Sequence, residues 1–142
     1  MAAKTPEKVY VEATTAAGQA VSAVADVIFG TEVYDSHSAF NHSTGIFTAP
    51  MPGLYTISIA LQTDAVALGT NQRFVALAVA TSRTRQLLRV SGSGASEQVG
   101  AVGTITMYLA QDETVKIQAG SEVATTLAAD ATVNWLTIAS QN

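Results

Sequence analysis

The residues best suited to chemistry in this chain are His37 and His42, which flank a turn, with Asp35 completing an Asp-x-His arrangement beside them. Imidazole and carboxylate are a ligand set for zinc or nickel, and a histidine can carry protons near neutral pH. The same side chains in a serine-rich loop also serve as hydrogen-bonded turn residues, and that is the expectation here. Other constellations do not assemble. Without cysteine there is no thiolate nucleophile, thiolate metal site or disulfide. Ser91 to Ser96 (SGSGAS) is glycine-rich but lacks the lysine and spacing of a phosphate-binding loop, and no nucleophile elbow occurs. Asn41-His42-Ser43 fits a glycosylation acceptor and is read as a turn. No catalytic residue, metal or cofactor is expected, and the chain is read as non-enzymatic.

Composition narrows the partners. The chain has 142 residues and a net charge of -4, which argues against a nucleic-acid partner. Four of its seven basic residues do gather in sequence, at Arg73, Arg83, Arg85 and Arg89. Arg83 and Arg85, together with Asn71 and Gln72, are the candidate binding contacts. They suit either a solvated hairpin end or a patch for an acidic partner or glycan. Only 13% of residues are charged, against about 25% in an average soluble domain. Yet the longest apolar run, Phe74 to Ala80, is strand length and far short of the roughly 18 residues of a membrane span, so no membrane partner is expected. A chain this poor in charge is expected to bury apolar surface between subunits.

Period-two patterning supplies the elements that would position these residues. Strands are expected at Val9–Ala13, Val27–Val33, Ile46–Thr48, Leu54–Leu61, Phe74–Ala80, Gln86–Val90, Thr104–Leu109, Val115–Ala119 and Val133–Ala139. Turn clusters separate them, and Pro50, Pro52 and Gly53 break the chain between two of them. Many short strands at such intervals predict an all-β sandwich or barrel. The alanine-rich stretches Ala13–Ala25 and Ala124–Ala131 carry enough threonine, valine and glycine to read as loop or edge strand. Phe74–Ala80 is apolar on both faces, Val75, Leu77 and Val79 on one and Phe74 with three alanines on the other. A second subunit is expected to cover one face, and Leu77→Asp or Val79→Asp to disrupt folding or assembly.

The stretch Asn41–Pro50 (NHSTGIFTAP), the step Gly53-Leu54-Tyr55, the hairpin Thr104–Val115 (TITMYLAQDETV) and the closing Val133–Ile138 (VNWLTI) carry a resemblance. Ile28-Phe29 and Tyr34-Asp35 add to it. The chain resembles the globular head domain of complement subcomponent one-q, in the jelly-roll superfamily shared with tumour necrosis factor. It departs from that pattern at Ala49, at Asp112-Glu113 and at Asn134-Trp135. The resemblance implies a ten-stranded antiparallel jelly roll, packed as a homotrimer about an apolar axis. Tyr55 would then be core or axis-lining, and Phe74, Leu77 and Val79, from the strand apolar on both faces, are expected in the core or trimer interface. Some relatives hold calcium near the axis, which Asp64, Asp112, Glu113 and Asp130 could imitate, though no dense oxygen-ligand loop is present.

The expected domains are residues 1–25, an N-terminal arm or first strand, and 26–142, the jelly roll. Lys4, Lys8 and Tyr10 would belong to an anchoring segment. The start, MAAKTPEKVYVEA, lacks the apolar stretch of a signal peptide. The function expected first is a virion structural protein, a trimeric phage capsid decoration assembled in the host cytoplasm. Its partners would be itself and the major capsid protein or another virion component. The alternative is a receptor- or glycan-binding tip domain of a phage fibre, or a secreted bacterial recognition module. An enzyme using His37 and His42 ranks last.

Overall fold

Alternation of apolar and small polar residues builds this molecule. The computed structural model describes residues 8–141. Its strands are β1 (Tyr10–Thr14), β2 (Ala20–Val21), β3 (Ala25–Asp26), β4 (Thr31–Asp35) and β5 (Phe40–Asn41). There follow β6 (Ile46–Thr48), β7 (Gly53–Gln62), β8 (Val66–Ala67), β9 (Arg73–Ala80) and β10 (Thr84–Ser91). The last are β11 (Ser96–Glu97), β12 (Gly100–Leu109), β13 (Thr114–Ser121), β14 (Thr125–Thr126) and β15 (Trp135–Ser140), and no helix occurs among the described residues.

One sheet runs β12-β7-β15-β1-β4, and the other β10-β9-β13-β6-β5 with β3 added on β13. Two small ribbons, β11-β8 and β14-β2, complete it, and every pairing is antiparallel. Fifteen strands in all occur among the described residues, where ten were expected. The core lies between the sheets. Val11, Ala13, Tyr55, Ile57, Ile59 and Leu61 enter it from one side, and Phe47, Phe74, Ala76, Ala78, Val115 and Ile117 from the other. Tyr55 is fully buried, its ring edge-on to Phe47 at 5.5 Å, and its hydroxyl donates to the Met51 carbonyl at 2.6 Å. A buried phenol requires such an acceptor.

Three sequence expectations are corrected. Val27–Val33 is not one strand. Val27 and Phe29 are buried, but Gln19 takes the place of a neighbouring strand. Its side chain accepts from Ile28 N at 2.8 Å and donates to Ile28 O at 2.7 Å. Only β4, further on, pairs as a strand, with a bulge against β1 between Glu12 and Ala13. Second, β12 begins at Gly100, earlier than alternation suggests, because Gly100 and Gly103 have no side chains for alternation to register. Third, β9 turns Phe74, Ala76, Ala78 and Ala80 into the core and leaves Val75, Leu77 and Val79 half-buried outside. Leu77 sits between Gln86 and Gln118, and Val79 between Thr84 and Lys116. The stems of long side chains such as Gln86, Gln118 and Lys116 cover apolar surface.

The segment Tyr10–Thr14 lies between β15 and β4, bonded to both. Lys8 is exposed just before it, and Lys4 lies outside the described residues.

Candidate functional site

Register defines the outer face of the five-stranded sheet. Thr14, Trp135, Ala60 and Val102 stand in one row across β1, β15, β7 and β12. Glu12, Thr137, Ser58 and Thr104 form the next row, and Tyr10, Ala139, Thr56 and Thr106 the one after. Leu54 and Tyr108 close the face. Hydroxyls link neighbouring strands at its centre: Thr56 to Thr106 at 3.0 Å and Ser58 to Thr104 at 3.1 Å. Its rim carries large exposed apolar groups, Val102 at 65%, Tyr108 at 52% and Leu54 at 49% exposure. Tyr10 stacks edge-on to Tyr34 at 6.0 Å and donates to Glu12 Oε1 at 3.2 Å. Burial, and then Glu12, raises the Tyr10 phenol above its usual pKa. Glu12 is the sole charge in these rows. The outer side of the other sheet differs, with Lys116 bridged to Asp26 at 3.1 Å and Arg73 to Glu122 at 3.8 Å.

A concave surface lies elsewhere, along β4, β5 and β6, at the edges of both sheets. It is an open groove of about 620 Å³ whose lining includes Glu32, Asp35, Phe40, Asn41, His42 and Thr48. Asp35 shapes it, since its carboxylate accepts from Ala39 N at 2.9 Å and Phe40 N at 2.8 Å. Ser38 between them is left-handed, with φ of 52°. Asn41 Oδ1 holds the next turn by accepting from Ser43 N at 2.9 Å. Gly45 completes the turn at φ of 75°, with the Val27 carbonyl 2.7 Å from where a Cβ would be. There only glycine fits.

The candidate binding contacts do not come together. Asn71 and Gln72 precede β9, while Arg83 and Arg85 follow it, about 25 Å along the strand. Gln72 is a turn residue, accepting from Gly69 N at 2.8 Å. Arg83 donates to the Tyr108 carbonyl and pairs with Glu113 at 3.6 Å. His37 is partly buried, with Nδ1 2.7 Å from the Ser36 hydroxyl, whereas His42 points into the groove lining. Of the four acids, Asp112 and Glu113 sit at the β12–β13 turn. Asp64 and Asp130 lie at the other end of β12, about 30 Å away, where Asp64 N bonds Thr126 O and the Asp130 carbonyl accepts from Asn134. Asp130 caps Thr132, and Glu113 accepts from Ala110 N at 3.0 Å. Among the described residues no three His, Asp or Glu side chains could share a metal.

The neutral face escaped sequence reading because its members come from strands far apart in the chain. Trp135 and Val102, both apolar on outward positions, were its visible signal.

Two antiparallel sheets in this order define a jelly roll of the tumour-necrosis-factor type. The chain belongs to the C1q domain family, whose model matches residues 9–135. It is similar to the globular domain of zebrafish complement 1qA, with 16% identity and a TM-score of 0.70 over 92% of this chain and 94% of that one. It is similar to murine APRIL at pH 5.0, with 12% identity and a TM-score of 0.69 over 94% of this chain and 99% of that one. It is also similar to Eiger TNF from S. frugiperda, with 10% identity and a TM-score of 0.60 over 95% and 92%. At such identities the likeness is one of fold. No curated protein matches the sequence.

Proposed function

We propose that this protein is a non-enzymatic homotrimer that closes through the outer face of its five-stranded sheet and presents its loops to a partner. The supporting observation is that face itself. It runs across four strands with Glu12 as its one charge, while Asp26, Lys116, Arg73 and Glu122 crowd the opposite side of the molecule. A surface with a single charge and with aromatic and aliphatic groups at its rim suits burial against a like surface. The resemblance implies an apolar axis, and this face has a hydroxyl centre, whose groups already bond one another. Burying paired hydroxyls carries little penalty. Light scattering and sedimentation of the full chain test the reading. Three chains per particle, persisting on dilution, is expected, and a monomer at all concentrations overturns it.

The trimer's use is proposed as structural, decorating a virion shell at a threefold position. A permanent assembly held by surface burial, without disulfides, serves that role. Fractionation of particles tests it: the protein must travel with the shell at fixed stoichiometry. A tip domain binding a receptor or glycan is the second reading, and the groove at β4–β6 is the observation that favours it.

A further inference from the structure

We propose that the groove between β4 and the β5–β6 edge is a binding site for neutral saccharide, the ligand being a pyranose ring with free vicinal hydroxyls. This deepens the recognition reading above but does not depend on the trimer.

The argument begins with unused polar groups. Glu32 lines the groove, and its carboxylate takes part in no hydrogen bond or ion pair among the described residues. The same holds for the His42 imidazole, the Thr48 hydroxyl and the Asn41 amide nitrogen, whose partner oxygen alone is occupied. These four groups offer a charged acceptor, a donor and two groups that serve as either. A carboxylate accepts from two adjacent hydroxyls at once, and charge-assisted bonds of that kind are the strong ones. Ile46, half-buried, and the buried Phe40 supply apolar floor for the C–H face of a sugar ring.

Charge selects the class. No lysine or arginine lines the groove, and Glu32 and Asp35 both do. Sialylated, sulfated or phosphorylated ligands are therefore repelled. The Asp35 carboxylate is already spent on three backbone amides, so it sets the wall and leaves Glu32 as the free acceptor. The size is right, since small-ligand sites enclose roughly 300–1,000 Å³ and this groove about 620 Å³. The wall is also rigid before any ligand arrives. Asp35 fixes Ala39 and Phe40, Asn41 fixes Ser43, and Ser38 and Gly45 are locked in left-handed conformations. A preformed site loses less freedom on binding.

The test uses the full chain in its native oligomeric state on an array of neutral hexose- and N-acetylhexosamine-terminated oligosaccharides, with sialylated and sulfated versions beside them. Binding to neutral members with rejection of the anionic versions is expected. Glu32→Gln and His42→Ala should each weaken the best neutral hit by about tenfold or more. Glu97→Ala, on the β11–β8 ribbon outside the groove lining, should leave it unchanged. Competition by the free methyl glycoside identifies the ring itself as ligand, and competition only by the oligosaccharide identifies a surface glycan chain. No neutral hit, a preference for anionic glycans, or full binding by both groove variants overturns the proposal. Trimer mass and melting temperature measured on the same samples keep failure of the groove distinct from failure of the assembly.

Discussion

Thr56 and Thr106 face each other across β7 and β12 with their hydroxyls 3.0 Å apart, at the middle of a sheet surface whose rows hold one charged residue. Gln141 donates to the same Thr56 oxygen. A polar centre that satisfies itself can be buried without leaving orphaned groups. The proposed trimer rests on that property.

A charge introduced there therefore separates assembly from folding. Ser58 and Thr137 are neighbours on this face and point away from the core. Ser58→Asp or Thr137→Asp should give a folded monomer, because the carboxylate is solvated in the free chain and desolvated in the assembly. Sedimentation gives the mass and far-ultraviolet circular dichroism the fold. Trimers of unchanged stability in both variants would remove this face from the interface.

On β9 the contrast lies between adjacent residues. Ala78 is fully buried between the sheets, and Leu77 is half-buried outside, flanked by Gln86 and Gln118. Ala78→Asp should unfold the chain or lower its stability by more than about 4 kcal/mol, through overpacking and an unpaired buried charge. Leu77→Asp should fold, at a cost of about 1–2 kcal/mol in lost apolar contact. Urea titration of both variants checks the order.

This pair also marks how far the sequence could be read. Alternation located β9 to within a residue and named both its faces. It could not say which face was the core, because both are apolar. Phe74 and the alanines took the core side, and the larger Leu77 and Val79 were left half-buried outside. The strands β6, β7 and β13 were legible for the opposite reason, that one face is plainly more polar. The site was much less legible. Asp35, His42 and Asn41 stood out by type, but Glu32 and Thr48 join them only once β4 and β6 reach the same edge. Arg83 and Arg85 are close to Asn71 and Gln72 in sequence and a full strand away in space.

Asn134 is a buried polar residue on which two segments depend. Its Oδ1 accepts from Gln62 N at 2.9 Å, and its Nδ2 donates to the Ala128 carbonyl at 2.9 Å and the Asp130 carbonyl at 3.3 Å. Asn134→Leu leaves these backbone groups unsatisfied, at a cost of about 1–3 kcal/mol for each one that water cannot reach. Asn134→Asp loses the donor side and adds a buried charge. Both should lower the melting temperature strongly, and Asn134→Leu should speed amide exchange at Gln62. Wild-type protection at Gln62 in that variant would refute the bracing role.

Acid should weaken the fold through three carboxyls whose affinity for protons is reduced in the native state. Glu113 is held below its usual pKa first by the Ala110 N–H, then by Ser82 and Arg83. Asp26 is lowered first by Gln118 and then by Lys116, and Asp130 by the Thr132 side chain and backbone. A group whose native pKa is depressed stabilises the fold above its unfolded pKa, and that stability is lost as pH falls through the native value. The unfolded values lie near about 4 for both residue types. The melting temperature should accordingly be level between neutral pH and about 5, then drop as the pH falls below about 4. Glu113→Gln keeps an acceptor for the Ala110 N–H but cannot titrate. Its melting temperature should therefore start lower at neutral pH and fall less steeply in acid, so that the two curves converge. Parallel curves for wild type and Glu113→Gln would show that the β12–β13 turn contributes nothing to the acid response.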